Sequence, residues 1–165
     1  MTDGTLLRAL RHNSWANDRL IAFCSKLTEE QLAWTVPGTF GSVHSTLGHI
    51  VGAEHGYLFR LTGEQPRGGP LARGQIVPFD ELRERARSNA GRMEAVLGGP
   101  FDPVRVITMT RGTATAGIVA AQYLHHGSDH RAHVGTILGA HGLEPPALDV
   151  WSYAREIGEE IVPPG

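Results

Sequence analysis

Residues 115–140 read TAGIVAAQYLHHGSDHRAHVGTILGA, with no proline inside and with Gly142 and Pro145-Pro146 just beyond. Glycine followed by proline is a helix stop. At 3.6 residues per turn, Val119, Tyr123, Val134 and Ile137 share a face with His126 and His130. The spacing predicts a helix over 115–140 whose apolar face turns inward and carries two imidazoles with it. Burying a polar group unpaired costs about 1–3 kcal/mol, so both rings require partners.

Three more long helices are predicted upstream. Over residues 5–27, Leu6, Leu10, Asn13, Asn17, Ile21 and Cys24 fall on one stripe. The two asparagines imply a polar patch inside a bundle or a hydrogen bond to a neighbouring helix. Thr28 and Gln31 form a capping-box pattern that opens a short helical turn, and Pro37, Gly38 and Gly41 then break the chain. A second helix starts at Ser42, a favourable N-cap, and stops near Gly63. Leu47, Ile50, Val51, Leu58 and Leu61 form its main stripe. Its opposite side, with Gly48, Gly52, Ala53 and Gly56, is small rather than charged, which implies packing on two sides.

Residues 65–78 are a loop rich in glycine and proline, and a third helix spans 79–97 with Phe79, Leu82, Ala86, Met93 and Leu97 inward. Residues 104–110 (VRVITMT) alternate as a short strand or extended segment, and a short helix over 148–160 closes the chain before Pro163. The expected architecture is an all-α four-helix bundle in a single domain spanning 1–165, with an extended segment before its fourth helix and a short C-terminal helix. The long connections before the third and fourth helices permit crossovers, so loop length does not fix the topology.

With 165 residues, 41% of them hydrophobic and 19% charged, the chain can bury a substantial core. A net charge of −2 offers no electrostatic footprint for nucleic acid or for an anionic membrane surface. No apolar run approaches the roughly 20 residues that span a bilayer. Residues 1–10 lack the basic-then-apolar pattern of a secretory signal. Cys24 is the single cysteine, so no intramolecular disulfide can form, and a cytoplasmic protein is expected. Mid-helix on an apolar stripe, that thiol reads as buried and inert. Lys26 is the one lysine among 15 Lys and Arg residues, a bias that reflects a GC-rich genome more than a physical need.

Of the nine histidines, five lie between His125 and His141. His126 and His130 rise from one helix face a turn apart, and such a pair can clamp one metal ion at Zn–N distances of about 2.0–2.1 Å. Two core histidines with backbone or water partners would show the same spacing, because an isolated H-x-x-x-H lacks the further residues that specify a site. His133 lies seven residues from His126, about 10.5 Å along the axis, too far for both to meet one ion easily. It belongs beside the pair or on the surface. His125 points about 100° away from His126. A third ligand must come from elsewhere, with His12, His44, His49, His55 and His141 available. His49 sits mid-helix between apolar neighbours, but on the small-residue side, so periodicity alone does not send it toward His126.

These segments together resemble the DinB-like (YfiT-like) family of metal-dependent four-helix proteins. Asn13-Ser14-Trp15-Ala16-Asn17 with Leu20 is similar to the family's N-x-W-x-N-x-x-L first helix. Ser45-Thr46-Leu47-Gly48-His49-Ile50 with Glu54 resembles its second-helix segment, in which the histidine is a metal ligand. His126-x-x-x-His130-Arg131 followed by Val134 resembles H-x-x-x-H-R-G-Q-[IV], with Ala132-His133 standing where Gly-Gln is usual. Leu148-Asp149-Val150-Trp151-Ser152-Tyr153 is similar to a common family ending. The likeness spans nearly the whole chain. It implies that His49, His126 and His130 form a metal triad and that a homodimer is to be expected. It implies no polymerase activity.

Three neutral ligands leave coordination positions open and a net +2 charge at the ion, as catalytic rather than structural sites do. Such an ion lowers the pKa of bound water to about 7 or holds a thiol as thiolate. Zinc or nickel suits the donor set, and iron is also compatible. The resemblance implies the thiol chemistry: a transferase or isomerase that activates mycothiol, bacillithiol or glutathione toward a small-molecule substrate. Asn13, Asn17, Glu54 or Tyr123 could line its pocket. Each also has a structural reading, Glu54 as the ion-pair partner of an arginine and Tyr123 as a core residue with a satisfied hydroxyl. Two alternatives stay open. One is metal-assisted hydrolysis with Glu54 or His133 as general base. The other is a module that captures a metal or small ligand without turnover.

Overall fold

Four long helices carry the architecture: α1 (Thr5–Cys24), α3 (Val43–Thr62), α4 (Phe79–Gly98) and α5 (Ala116–Ala140). Between and after them lie a short α2 (Glu29–Leu32), the strands β1 (Val106–Met109) and β2 (Gly112–Thr115), and α6 (Val150–Glu156). The structure, a computed structural model, describes residues 4–66, 68–72 and 74–160; Pro163 and residues 1–3 of the N-terminal stretch lie outside them.

Helix ends follow local chemistry. Ser42 Oγ accepts from the Ser45 N–H at 3.2 Å, and Gly63 closes α3 at φ +75°. The expected capping box forms in both halves: Thr28 Oγ1 accepts from Gln31 N–H, and Gln31 Oε1 accepts from Thr28 N–H. α1 ends at Cys24 rather than residue 27 because the chain tightens there, the Lys26 and Leu27 N–H groups donating to carbonyls three residues back, at Phe23 and Cys24, before Thr28 turns extended to cap α2. Asp149 caps α6, its carboxylate accepting from Trp151 and Ser152 N–H groups, both at 3.0 Å.

The extended segment before α5 is an antiparallel hairpin, not a lone strand. Val106 pairs with Thr115 and Met109 with Gly112, and Ile107 points inward. Gly112 makes the return possible at φ +102°. The sequence pattern missed β2 because GTAT has no apolar alternation of its own.

The four helices form a ring in which α1 packs on α4 and α5, and α3 packs on the same two. The links from α1 to α3 and from α4 to α5 therefore cross the bundle diagonals. The small face of α3 is covered too, by the loop that follows it: a Cβ on Gly48 would lie 3.2 Å from the Gln75 carbonyl oxygen, and one on Gly52 3.3 Å from Leu71 Cβ. Packing on two sides is what its composition implied.

Two apolar clusters fill the interior. One gathers Leu20, Ile21, Leu47, Val51, Val134 and Ile137, and the other Leu10, Leu58, Leu61, Met93, Val119 and Tyr123. Along α1, α3 and α5 a polar layer separates them. Arg131 Nη1 donates to Asn13 Oδ1 at 2.6 Å and to Asn17 Oδ1 at 2.7 Å. Each asparagine passes the polarity on, its Nδ2 donating to Glu54 Oε1 at 3.0 Å and 2.7 Å respectively. All four side chains are buried. The asparagines on the apolar stripe of α1 thus link that helix to both neighbours. Leu6, counted on the same stripe, is instead largely exposed, and Ala16 and Leu20 take up the inward face.

Gly127 leaves room for this layer. A Cβ there would stand 2.6 Å from Asn13 Oδ1 and 2.9 Å from Arg131 Nη1. Gly127→Ala is expected to destabilise the fold by about 1–3 kcal/mol despite the better helix propensity of alanine. Gly139→Ala, with nothing within 4 Å of its Cβ, is expected to gain up to about 1 kcal/mol. Denaturant unfolding of both variants checks this, and equal responses would refute the crowding argument.

Candidate metal centre

α3 supplies His49, and α5 supplies His126 and His130. One ring nitrogen from each lies within 4.8 Å of the other two. His49 Nε2 and His126 Nε2 are 3.0 Å apart. The ring centroids of His126 and His130 are 4.3 Å apart, and those of His49 and His130 4.7 Å. Nitrogens bound to one tetrahedral ion at 2.0–2.1 Å stand roughly 3.3 Å from each other, so the spacing suits a shared cation.

The face that α5 buries differs from the one read off its periodicity. The buried stripe runs through Val119, Tyr123, Gly127, Arg131, Val134 and Ile137, and His126 and His130 lie half-buried along its edge. Arg131 and Gly127 hold the centre because the polar layer requires them there. The rings are consequently shielded without being sealed. Phe40, from the loop before α3, stacks on His49 at 3.9 Å between centroids and 12° between planes, and meets His130 edge-on at 5.0 Å. Tyr57 meets His126 edge-on at 5.7 Å. A cavity of about 370 Å³ opens beside His49, bordered by Phe40, Gly52, Ala53 and Leu71.

The chemistry of the rings fits a cation. Burial, followed by the mutual proximity of the imidazoles, lowers His126 and His130 to about 4. Both rings are neutral at pH 7 and offer lone pairs, the form a metal takes. Among the described residues, no further His, Cys, Asp or Glu joins the group.

The remaining histidines considered as third ligand are engaged elsewhere. His12 Nε2 donates to the Leu148 carbonyl at 2.7 Å, and His44 Nε2 to the Val77 carbonyl at 2.9 Å. His55 pairs with Gln65 Oε1 at 3.0 Å, and His141 stacks on Trp34. His125 is exposed beside Asp129. His133 is half-buried against His130. Cys24 is buried, and desolvation pushes its thiol up to about 12, which makes it inert as expected.

Among the described residues Glu54 has no direct bond to an arginine; its link to Arg131 runs through the two asparagines. Burial raises its carboxyl to about 7 against the opposing pull of Asn13, Arg131 and Asn17. The Tyr123 hydroxyl, expected to be satisfied, approaches the same carboxylate without hydrogen-bonding geometry, and Glu54 Oε2 and Tyr123 Oη are left unpaired. Sequence reasoning missed two residues. Arg131 was noted only as part of a motif, although its spacing of four from Gly127 and eight from Tyr123 puts it on their stripe. Phe40 gave no signal, because a loop residue has no periodicity.

The metal-free protein carries a pH signature. An unfolded histidine titrates near 6.5, so between pH 6.5 and about 4 the unfolded chain binds protons that the folded His126 and His130 refuse. The contribution of His126 and His130 to stability is complete above pH 6.5 and falls as pH drops through that window. Glu54 acts with the opposite sign: its raised carboxyl is an asset below 4.5 that is lost as pH rises toward 7. Residue-specific NMR titration therefore separates what a bulk unfolding curve merges. The His126 and His130 ring signals are expected to move near pH 4; midpoints near 6.5 would show that the rings are neither desolvated nor crowded.

No curated protein matches the chain. A family model described as the DinB family matches residues 1–160, a span that includes α1 through α6 and all three histidines. A helical bundle with this histidine cluster, matched by that model along almost its full length, belongs to the DinB family.

Proposed function

We propose that this protein is a divalent-metal-dependent enzyme that activates a low-molecular-weight thiol, for transfer to or isomerisation of a small-molecule substrate. The observation that carries the reading is the convergence of His49, His126 and His130, with no fourth protein ligand beside them among the described residues. Three neutral donors leave positions for an exchangeable ligand. Zinc or nickel matches an all-imidazole set, and iron is compatible.

A divalent ion held there would supply Lewis acidity, keeping a sulfur as thiolate at neutral pH. The chain's own residues do the rest. His126 and His130 stay unprotonated because they are desolvated and crowded. Phe40 and Tyr57 wall the rings with hydrocarbon and limit water. The cavity beside His49 lies within the size range of small-molecule pockets. Hydrolysis by bound hydroxide is less well supported, because both bases considered for it are occupied. Glu54 is enclosed, with Oε1 accepting from two asparagines, and His133 is turned to His130.

Purified wild-type protein is expected to carry stoichiometric metal, and His126→Ala to lose it while keeping its helical circular dichroism. Equal metal content in both would end the triad reading. The metal-loaded protein is then offered glutathione, bacillithiol and mycothiol, each with an electrophile. Consumption of one of these is expected. No consumption of any would discard the thiol chemistry, leaving a hydrolase if esters or amides are cleaved and a binding module if they are not.

A further inference from the structure

His130 Nδ1 and His133 Nδ1 face each other at 3.2 Å. The residues are three apart on α5 and share a helix face. Their rings meet edge to face, centroids 5.0 Å apart and planes at 76°, while Phe40 meets His130 from another side at 5.0 Å. A nitrogen pair at this distance is a hydrogen bond only when one member carries the proton and the other a lone pair.

Which member carries it decides what His130 shows to His49 and His126. With Nδ1 engaged by His133, Nε2 is the nitrogen left for the triad. Were His130 Nδ1 the acceptor, the proton of the neutral ring would sit on Nε2, and an N–H would point where a lone pair is needed. With His130 Nδ1–H as donor, Nε2 presents its lone pair, and His133 keeps its own proton on Nε2. His126 has no equivalent support, for its Nδ1 is buried without a partner.

We propose that His133 is the positioning residue of the metal centre: it accepts the Nδ1–H of His130, fixing that ring's tautomer and aiming Nε2 at His49 and His126. The inference rests on the metal reading above. Partners of this kind set ligand orientation, and their loss typically costs 10–100-fold in metal affinity. The function requires only an acceptor at the right height on the helix. A glutamine carboxamide oxygen can provide it; a leucine of similar bulk cannot.

Competition titration with Co²⁺ or Zn²⁺ reads the effect, with circular dichroism confirming that each variant folds. His133→Leu is expected to weaken binding about 10–100-fold, and His133→Gln to restore it close to wild type. Wild-type affinity in His133→Leu would overturn the proposal. So would a His133→Gln variant as weak as His133→Leu, because an acceptor alone would then not suffice. A measurement on unsubstituted, metal-free protein stands apart from both. Long-range ¹H–¹⁵N correlation is expected to show His130 protonated at Nδ1 and His133 at Nε2, and the reverse pair of tautomers would overturn the assignment. If the wild type takes up neither ion, the metal reading fails by itself, and the tautomers still decide whether His133 orients His130.

Discussion

The bundle is organised around a buried cation that cannot be left unpaired. Arg131 sits in the interior of α5, where an uncompensated guanidinium would cost several kcal/mol. Its desolvation lowers the pKa to about 10, yet it stays protonated at neutral pH, supported by Glu54. The two charges do not touch. Asn13 and Asn17 stand between them, each with an oxygen for the guanidinium and an amide group for the carboxylate. Asparagine suits that position because it offers donor and acceptor on one short side chain. Four hydrogen bonds thus tie α1, α3 and α5 together.

The histidine cluster follows from that placement. Consecutive residues on a helix are rotated by about 100°. Turning Arg131 toward α1 swings His130, its predecessor, off the buried stripe and toward its flank, and His126 one turn earlier goes with it. The rings meet His49 from α3 in a half-buried position, dry enough to hold them neutral and open enough to admit a ligand. Stability and chemistry are thus coupled through one residue step.

The same arrangement juxtaposes two kinds of electrostatic strain. The imidazoles of His126 and His130 resist protonation, and the enclosed Glu54 carboxyl group resists ionisation, at opposite ends of the mildly acidic range. Both originate in desolvation, but the charge they exclude has opposite sign. The described helices are not long and apolar enough to cross a membrane.

Much of the architecture was legible in the linear chain. Ser42, Thr28 with Gln31, and Gly63 set helix ends through bonds within a few residues, which local sequence encodes directly. The stripes of α3 and α4 appeared because apolar burial repeats with the helix period. The pairing of His126 with His130 is likewise local, one turn of a single helix. The hairpin partner β2 was hidden, since a short strand of small and polar residues shows no alternation until β1 lies beside it. The orientation of α5 and the approach of His49 to its histidines were hidden for a deeper reason. Periodicity says which residues share a face, but not which neighbour that face meets. That depended on Arg131 finding Asn13, Asn17 and Glu54 across two other helices, contacts separated by tens of residues that exist only once the chain has folded.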